Sequence, residues 1–235
     1  MTASRLYTRL YELEGKQNLQ ATVKTVAKAA ADLKVRKIVV FTSEGDGAME
    51  LQKRISGDRK VIAVTFPHEM TARPKDGEPM FIGLPSHERR LDLESLGVTI
   101  VQGAMPFQVT NATADDALRG MRTAFGAFGG GLQLCVQGVL MACDAGHLNA
   151  GERCIAMSAD TAIVARSGHS YQIFQKAWTF AVEHFLCKPQ YYQITRGDWE
   201  VKIGSFYNQE LLGTDAQPDE GATPLPAPTE NPDAP

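Results

Sequence analysis

The chain has 235 residues, 43% of them hydrophobic, and a formal net charge of −3. That length supports one well-buried core, and the charge leaves no basic excess to offset nucleic-acid phosphates, so no nucleic-acid partner is expected. No apolar run reaches the roughly 18 residues of a membrane span and the opening MTASRLYTRL has no apolar signal region; no membrane partner and a cytoplasmic location are the expectations.

After a polar lead, Asn18 stands as the N-cap of a helix whose apolar residues Leu19, Val23, Val26, Ala27, Ala30 and Leu33 recur at helical spacing. Lys37–Phe41 is a short β-branched run that reads as a buried strand, and it ends in the turn-rich segment Thr42-Ser43-Glu44-Gly45-Asp46-Gly47. A second helix carries Ala48, Leu51 and Ile55 on one face, and Val61–Thr65 repeats the buried-strand pattern. Phe66 to Pro85 reads as a long Pro- and Gly-containing loop, a length that in compact domains marks functional segments. Ser86 is placed to cap a third helix running to Leu96, Gly97 suits its left-handed end, and Val98–Val101 is a third strand.

Thr113 with Asp116 resembles a capping box, opening a helix with Leu118, Met121, Phe125 and Phe128 on one side. Gly129-Gly130-Gly131 breaks it. Leu132 to Ala145 is apolar nearly all round, which predicts a central buried helix stopped near Gly146. Three strand-like runs follow, Cys154–Met157, Thr161–Ala165 and roughly Trp178–Cys187, the last expected at the sheet edge in the antiparallel sense. Strands alternating with helices predict a doubly wound α/β fold, a mostly parallel sheet with helices on both faces. It is expected to form a single domain over residues 1–213, with the acidic, proline-rich 214–235 as a tail too poor in apolar residues to order itself.

The four cysteines, Cys135, Cys143, Cys154 and Cys187, lie in apolar segments without C-x-x-C spacing, as buried reduced thiols do. The histidines show no H-x-x-x-H or Cys/His grouping of the kind zinc needs, so no metal site is expected.

Ile38 to Thr65, IVVFTSEGDGAMELQKRISGDRKVIAVT, is similar to the strand, Thr-Ser-Gly turn, helix and strand of the pyruvate kinase C-terminal domain. Gly15-Lys16 with Asn18, GLQLCVQGVLMACDAG from Gly131 to Gly146, and Asp160-Thr161-Ala162 followed by Val164 resemble a small family of stand-alone proteins with that domain. Where that family has a glycine-rich stretch before its Asp-Thr-Ala, this chain has Ala156-Met157-Ser158-Ala159. The resemblance implies the pyruvate kinase C-terminal domain-like fold. Kinase activity is not expected, since the barrel that performs it has no counterpart in these residues. The turn would then hold a phosphorylated ligand, flavin mononucleotide (FMN) being the cofactor that the stand-alone family suggests.

The residues alone point to the same turn. Thr42–Gly47 lies between a strand's carboxyl end and a helix N-terminus, where free N–H groups attract an anion and where open α/β sheets bind ligands. Thr42 and Ser43 add hydroxyls, and Gly45 and Gly47 let a phosphate approach the backbone, whereas Glu44 and Asp46 oppose one unless they point away. Asp160 and Thr161 on one side of a late strand, and Gly168 and Ser170 within Arg166–Ser170 on the other, are further ligand-binding candidates. His169 has a titration range suited to acid–base work but no evident partner. Asp144, set against the dipole at a helix end, is expected to be tied to a partner. Gly126 to Gly131 joins helices and lacks the phosphate-loop lysine, so close packing is its expected role. Three functions stay open: a protein binding a phosphorylated small molecule, a flavin-dependent enzyme, and a regulatory module that forms a homo-oligomer.

Overall fold

The computed structural model describes residues 7–72, 80–83, 87–107 and 116–192. The expected tail 214–235, the caps Ser86 and Thr113, and the remainder of the domain expected to reach residue 213 lie outside them.

Among the described residues seven strands form one sheet in the order β1-β9-β8-β7-β2-β3-β6. In chain order they are β1 (Arg9–Leu13), β2 (Lys37–Phe41), β3 (Lys60–Thr65), β6 (Thr99–Gln102), β7 (Arg153–Met157), β8 (Ala162–Arg166) and β9 (Ala181–Tyr191). The pairings β1–β9, β2–β3, β2–β7 and β3–β6 are parallel. Only β8 runs against its neighbours β7 and β9. A separate antiparallel pair, β4 (Thr71–Ala72) with β5 (Met80–Phe81), sits inside the segment expected to be loop.

Side-chain alternation divides the apolar residues between two cores, one on each face of the sheet. Ile38, Val40, Val61, Ala63, Ile155 and Met157 meet α1 (Leu19–Asp32), α2 (Asp46–Gln52) and α3 (His87–Ser95) through Val23, Val26, Ala48, Leu51 and Leu93. Val39, Phe41, Ile62, Val64, Ala156 and Ile163 meet α5 (Gly130–Asp144), on which α4 (Asp116–Gly126) packs through Met121 and Phe125. The doubly wound, mostly parallel α/β fold is therefore the observed one.

Helix α5 approaches the sheet closely because Gly138 has no side chain, and a Cβ there would lie 3.2 Å from Val39 Cγ1. Its near-continuous apolar sequence is explained by burial on both sides, since Leu132, Cys135, Val136 and Val139–Cys143 are all buried. Gln137 is the polar exception, and its Oε1 accepts the Phe107 amide at 3.0 Å. Gly97 adopts the expected left-handed conformation, φ +80.

Three expectations need correction. The polar lead contains β1, an edge strand in which only Tyr11 is buried, so its sequence lacks the apolar run that marks the central strands. β9 extends to Tyr191 and is not the edge, because β1 pairs with it in parallel. Asn18 precedes α1 but does not cap it, because a 3₁₀ turn at Lys16–Asn18 leads into the helix and the Asn18 amide side chain donates to Leu13 O at 2.7 Å.

Burial pushes the Cys154 thiol up to about 12 and raises Cys135, Cys143 and Cys187 as well. All four thiols are free and buried. A thiolate-selective reagent at neutral pH should label none of them rapidly in the native protein and all four after denaturation. A fast-reacting thiol in the native state would contradict the packing of these segments. Truncating the fully buried Leu140 to Ala should cost about 2–5 kcal/mol in a denaturant titration, with an unchanged slope.

Candidate functional site

Chain direction at the sheet centre generates a crevice. From β2 the chain steps outward through β3 to β6, then returns over α4 and α5 to β7 on the other side of β2. Successive crossovers thus diverge on either side of the β2–β7 pair, the position where open α/β sheets bind ligands at their strand carboxyl ends. Its walls are the turn after β2, Thr42–Gly45 with the start of α2, and the turn after β7, Ser158–Thr161.

The crevice encloses about 290 Å3. Lys16, Thr42, Ser43, Glu44, Asp46 and Ser158 line it with polar groups, while Leu19, Phe41, Phe66 and Leu134 give it an apolar side. Phe66 stands edge-on to Phe41 with ring centroids 4.9 Å apart, which fixes the aromatic wall.

Gly45 sits at φ +89, a left-handed conformation open to glycine, and its amide donates to Thr42 Oγ1 at 2.9 Å. Gly47 is buried, and a Cβ there would meet Val40 Cγ1 at 3.3 Å and Leu19 Cδ1 at 3.4 Å. Both glycines therefore have a structural reason, Gly45 in the turn's own geometry and Gly47 in close packing against β2 and α1. Ser43 is half-buried and makes no hydrogen bond to any described residue.

The acidic side chains of the turn are met by cations. Lys16 Nζ lies 2.5 Å from Glu44 Oε2 and 3.1 Å from Asp46 Oδ2, and Arg89 Nη2 lies 3.6 Å from Asp46 Oδ1. Hydrogen bonding to Glu44, then to Asp46, holds the Lys16 ammonium above its ordinary range. The sequence marks Lys16 only as part of the Gly15-Lys16 resemblance and gives it no place in the site, since its partners are 28 and more residues away.

Asp160 and Thr161 anchor the opposite wall. The Asp160 carboxylate is buried, accepting the Gly15 amide at 2.7 Å, the Thr161 hydroxyl at 2.9 Å and the Ser158 hydroxyl at 3.3 Å. Ser158 N donates to Thr161 O at 2.8 Å and closes the turn. The first turn of α5 lies directly behind, since a Cβ on Gly131 would fall 2.7 Å from Asp160 Oδ1 and 2.2 Å from Thr161 Oγ1. The positive end of a 15-residue helix thus faces the carboxylate. Close approach does account for this glycine of the Gly126–Gly131 run, but against the β7–β8 turn.

Gly168 and Ser170 do not join these groups. Because β8 is antiparallel to β7, its end at Arg166 pairs with Arg153 at the amino edge of the sheet. A Cβ on Gly168 would lie 2.8 Å from Phe180 N, so the glycine admits the Trp178–Phe180 segment. Ser170 N donates to Asp144 Oδ1 at 3.1 Å, and His169 Nδ1 lies 3.1 Å from the same oxygen. Asp144 thus has the partner expected of it, and His169 has one that its sequence context did not reveal.

A larger groove of about 640 Å3 lies between β1 and α1, lined by Tyr7, Arg9, Lys24, Lys28 and Leu33 among others. It is at the amino edge, away from the strand carboxyl ends. The crevice is the better candidate on that ground. Among the described residues no cluster of His, Cys, Asp and Glu is arranged to hold a metal ion, and no helix is long and apolar enough to cross a membrane.

No family model matches the chain. Solved structures similar to it include a pyruvate kinase from Cryptosporidium parvum, which aligns over 63% of this chain and 22% of the kinase at 13% identity and a TM-score of 0.35. Pyruvate kinase from the same organism in complex with ADP aligns over 70% of this chain and 23% of that one, at 12% identity and a TM-score of 0.31. The chain spans less than a quarter of the length of these kinases.

Replacing Asp160 by Ala would leave the Gly15 amide and two hydroxyls without their shared acceptor. The expected loss is at least about 2 kcal/mol in a denaturant titration, with Asp160→Asn recovering part of it through the remaining carbonyl oxygen. An unchanged midpoint for Asp160→Ala would show that the carboxylate does not hold these segments together.

Proposed function

We propose that this protein binds a phosphorylated small molecule in the crevice between the carboxyl ends of β2 and β7. The observation that carries this reading is the conjunction, within one cleft of about 290 Å3, of a half-buried serine with no hydrogen-bond partner among the described residues, a lysine, and an aromatic wall. Ser43 and Thr42 supply hydroxyl donors for a phosphate, and Lys16 supplies a cation. Phe66 and Leu134 take the apolar part of the ligand. The volume is at the small end of ligand pockets, roughly 300–1,000 Å3, and the cleft is open to solvent, so part of a ligand such as a flavin nucleotide extends beyond it.

The donor set fits a phosphate, and the Phe66 ring offers an aromatic contact for a flavin. FMN, which the sequence resemblance implies, is therefore the first probe. When bound it would supply redox chemistry of its own, while these residues would hold and orient it. Titration of flavin fluorescence should show FMN binding more tightly than riboflavin, which has the same ring and no phosphate. Ser43→Ala should weaken FMN by about tenfold, the loss of one charge-assisted hydrogen bond, and leave riboflavin unchanged. Equal affinity for the two flavins, or no binding of either together with no thermal stabilisation by inorganic phosphate, would remove the reading.

A further inference from the structure

The connection from β1 to α1 crosses the carboxyl edge of the sheet as a strap, and its backbone is fixed. Gly15 N donates to the buried Asp160 at 2.7 Å, Asn18 N to Gly15 O at 3.1 Å, and the Asn18 side chain to Leu13 O at 2.7 Å. One side chain of the strap reaches across the crevice, and it is held by contacts of a different kind. Lys16 is 64% exposed and its partner Glu44 is 55% exposed.

An exposed ion pair contributes little net stability and is weakened by salt. A phosphate carries up to about two negative charges and three acceptor oxygens against the single charge of the Glu44 carboxylate, so its charge-assisted bond to an ammonium draws on a larger Coulomb attraction. The Lys16–Glu44 contact is thus one that a phosphate in the cleft can outcompete. Exchange leaves no carboxylate stranded, because Glu44 turns to water and Asp46 keeps Arg89 at 3.6 Å.

We propose that Lys16 is an exchangeable latch over the crevice, released from Glu44 by the phosphate of the incoming ligand, and that this exchange is what selects a phosphorylated ligand over its phosphate-free counterpart. The inference rests on the phosphate reading of the crevice given above. In this arrangement Glu44, at 2.5 Å, is the nearer competitor of the ligand and Asp46, at 3.1 Å, the further one, and Lys16 is the group for which they compete.

The latch gives the two partners of one ion pair opposite effects. Lys16→Gln removes the cation and should weaken FMN binding about tenfold, with Lys16→Arg restoring most of it. Glu44→Gln removes the nearer competitor and should tighten FMN binding about two- to fivefold. Neither variant should alter riboflavin binding. A brace whose only role is to hold the turn would instead be broken by either change, so both variants would shift affinity in the same direction.

The test is a flavin fluorescence titration of the full chain and its three variants against FMN and riboflavin, with thermal midpoints in inorganic phosphate as a second readout. Opposite shifts for Lys16→Gln and Glu44→Gln, confined to FMN and phosphate, support the latch. Shifts of the same sign, equal shifts for riboflavin, or no shift overturn it while the wild-type preference for FMN still stands. Wild-type protein that neither prefers FMN nor is stabilised by phosphate overturns the phosphate reading and the latch together.

Discussion

A carboxylate taken out of water has to be given its donors by the protein, and the way Asp160 is satisfied organises one whole edge of this molecule. Its donors come from the β1–α1 strap through Gly15 and from its own turn through Ser158 and Thr161. The first turn of α5 lies close behind, with room made by Gly131. Segments more than a hundred residues apart in sequence are thereby brought to one point, since Gly15 and Asp160 are separated by 145 positions. Were the strap not tied there, Lys16 would not stand over the crevice, and β1 would be held by its pairing with β9 and by the buried Tyr11.

That dependence explains what the sequence revealed and what it withheld. The central strands were legible because burial on both faces demands unbroken apolar runs, and Ile38–Phe41 and Val61–Val64 have them. Helix α5 was legible for the same reason. β1 was not, since an edge strand with one covered face needs only Tyr11 inside, and RLYEL offers no pattern stronger than chance. The direction of β8 was equally hidden. An apolar run does not say which way it points, and that single reversal moves Gly168 and Ser170 to the opposite edge from Asp160 and Thr161.

Within the candidate site, local chemistry could be read and tertiary chemistry could not. Thr42 to Gly47 announces a tight turn at the end of a strand, and the structure gives Gly45 the left-handed conformation and Thr42 the bond to its amide. The two carboxylates of that turn looked unfavourable for an anion when read along the chain. Their partners, Lys16 and Arg89, arrive from other elements, so the balance of charge at the crevice is a property of the fold alone. His169 and Asp144 make the same point at the amino edge, where a loop and a helix end supply each other's partner.

The contrast between the two acidic anchors of the strap has a physical meaning. Asp160 is shielded from water and held by several short bonds, so its release would expose an unmet charge to a low-dielectric surrounding and is costly at any ionic strength. Glu44 and Lys16 meet in solvent, where either can exchange its partner for water at little cost. Rigidity in the backbone and exchangeability in the side chain are thus assigned to neighbouring residues, Gly15 and Lys16. A ligand entering the crevice meets a fixed frame, and the charged contacts it has to disturb, those of Lys16 with Glu44 and Asp46, are solvent-facing ones.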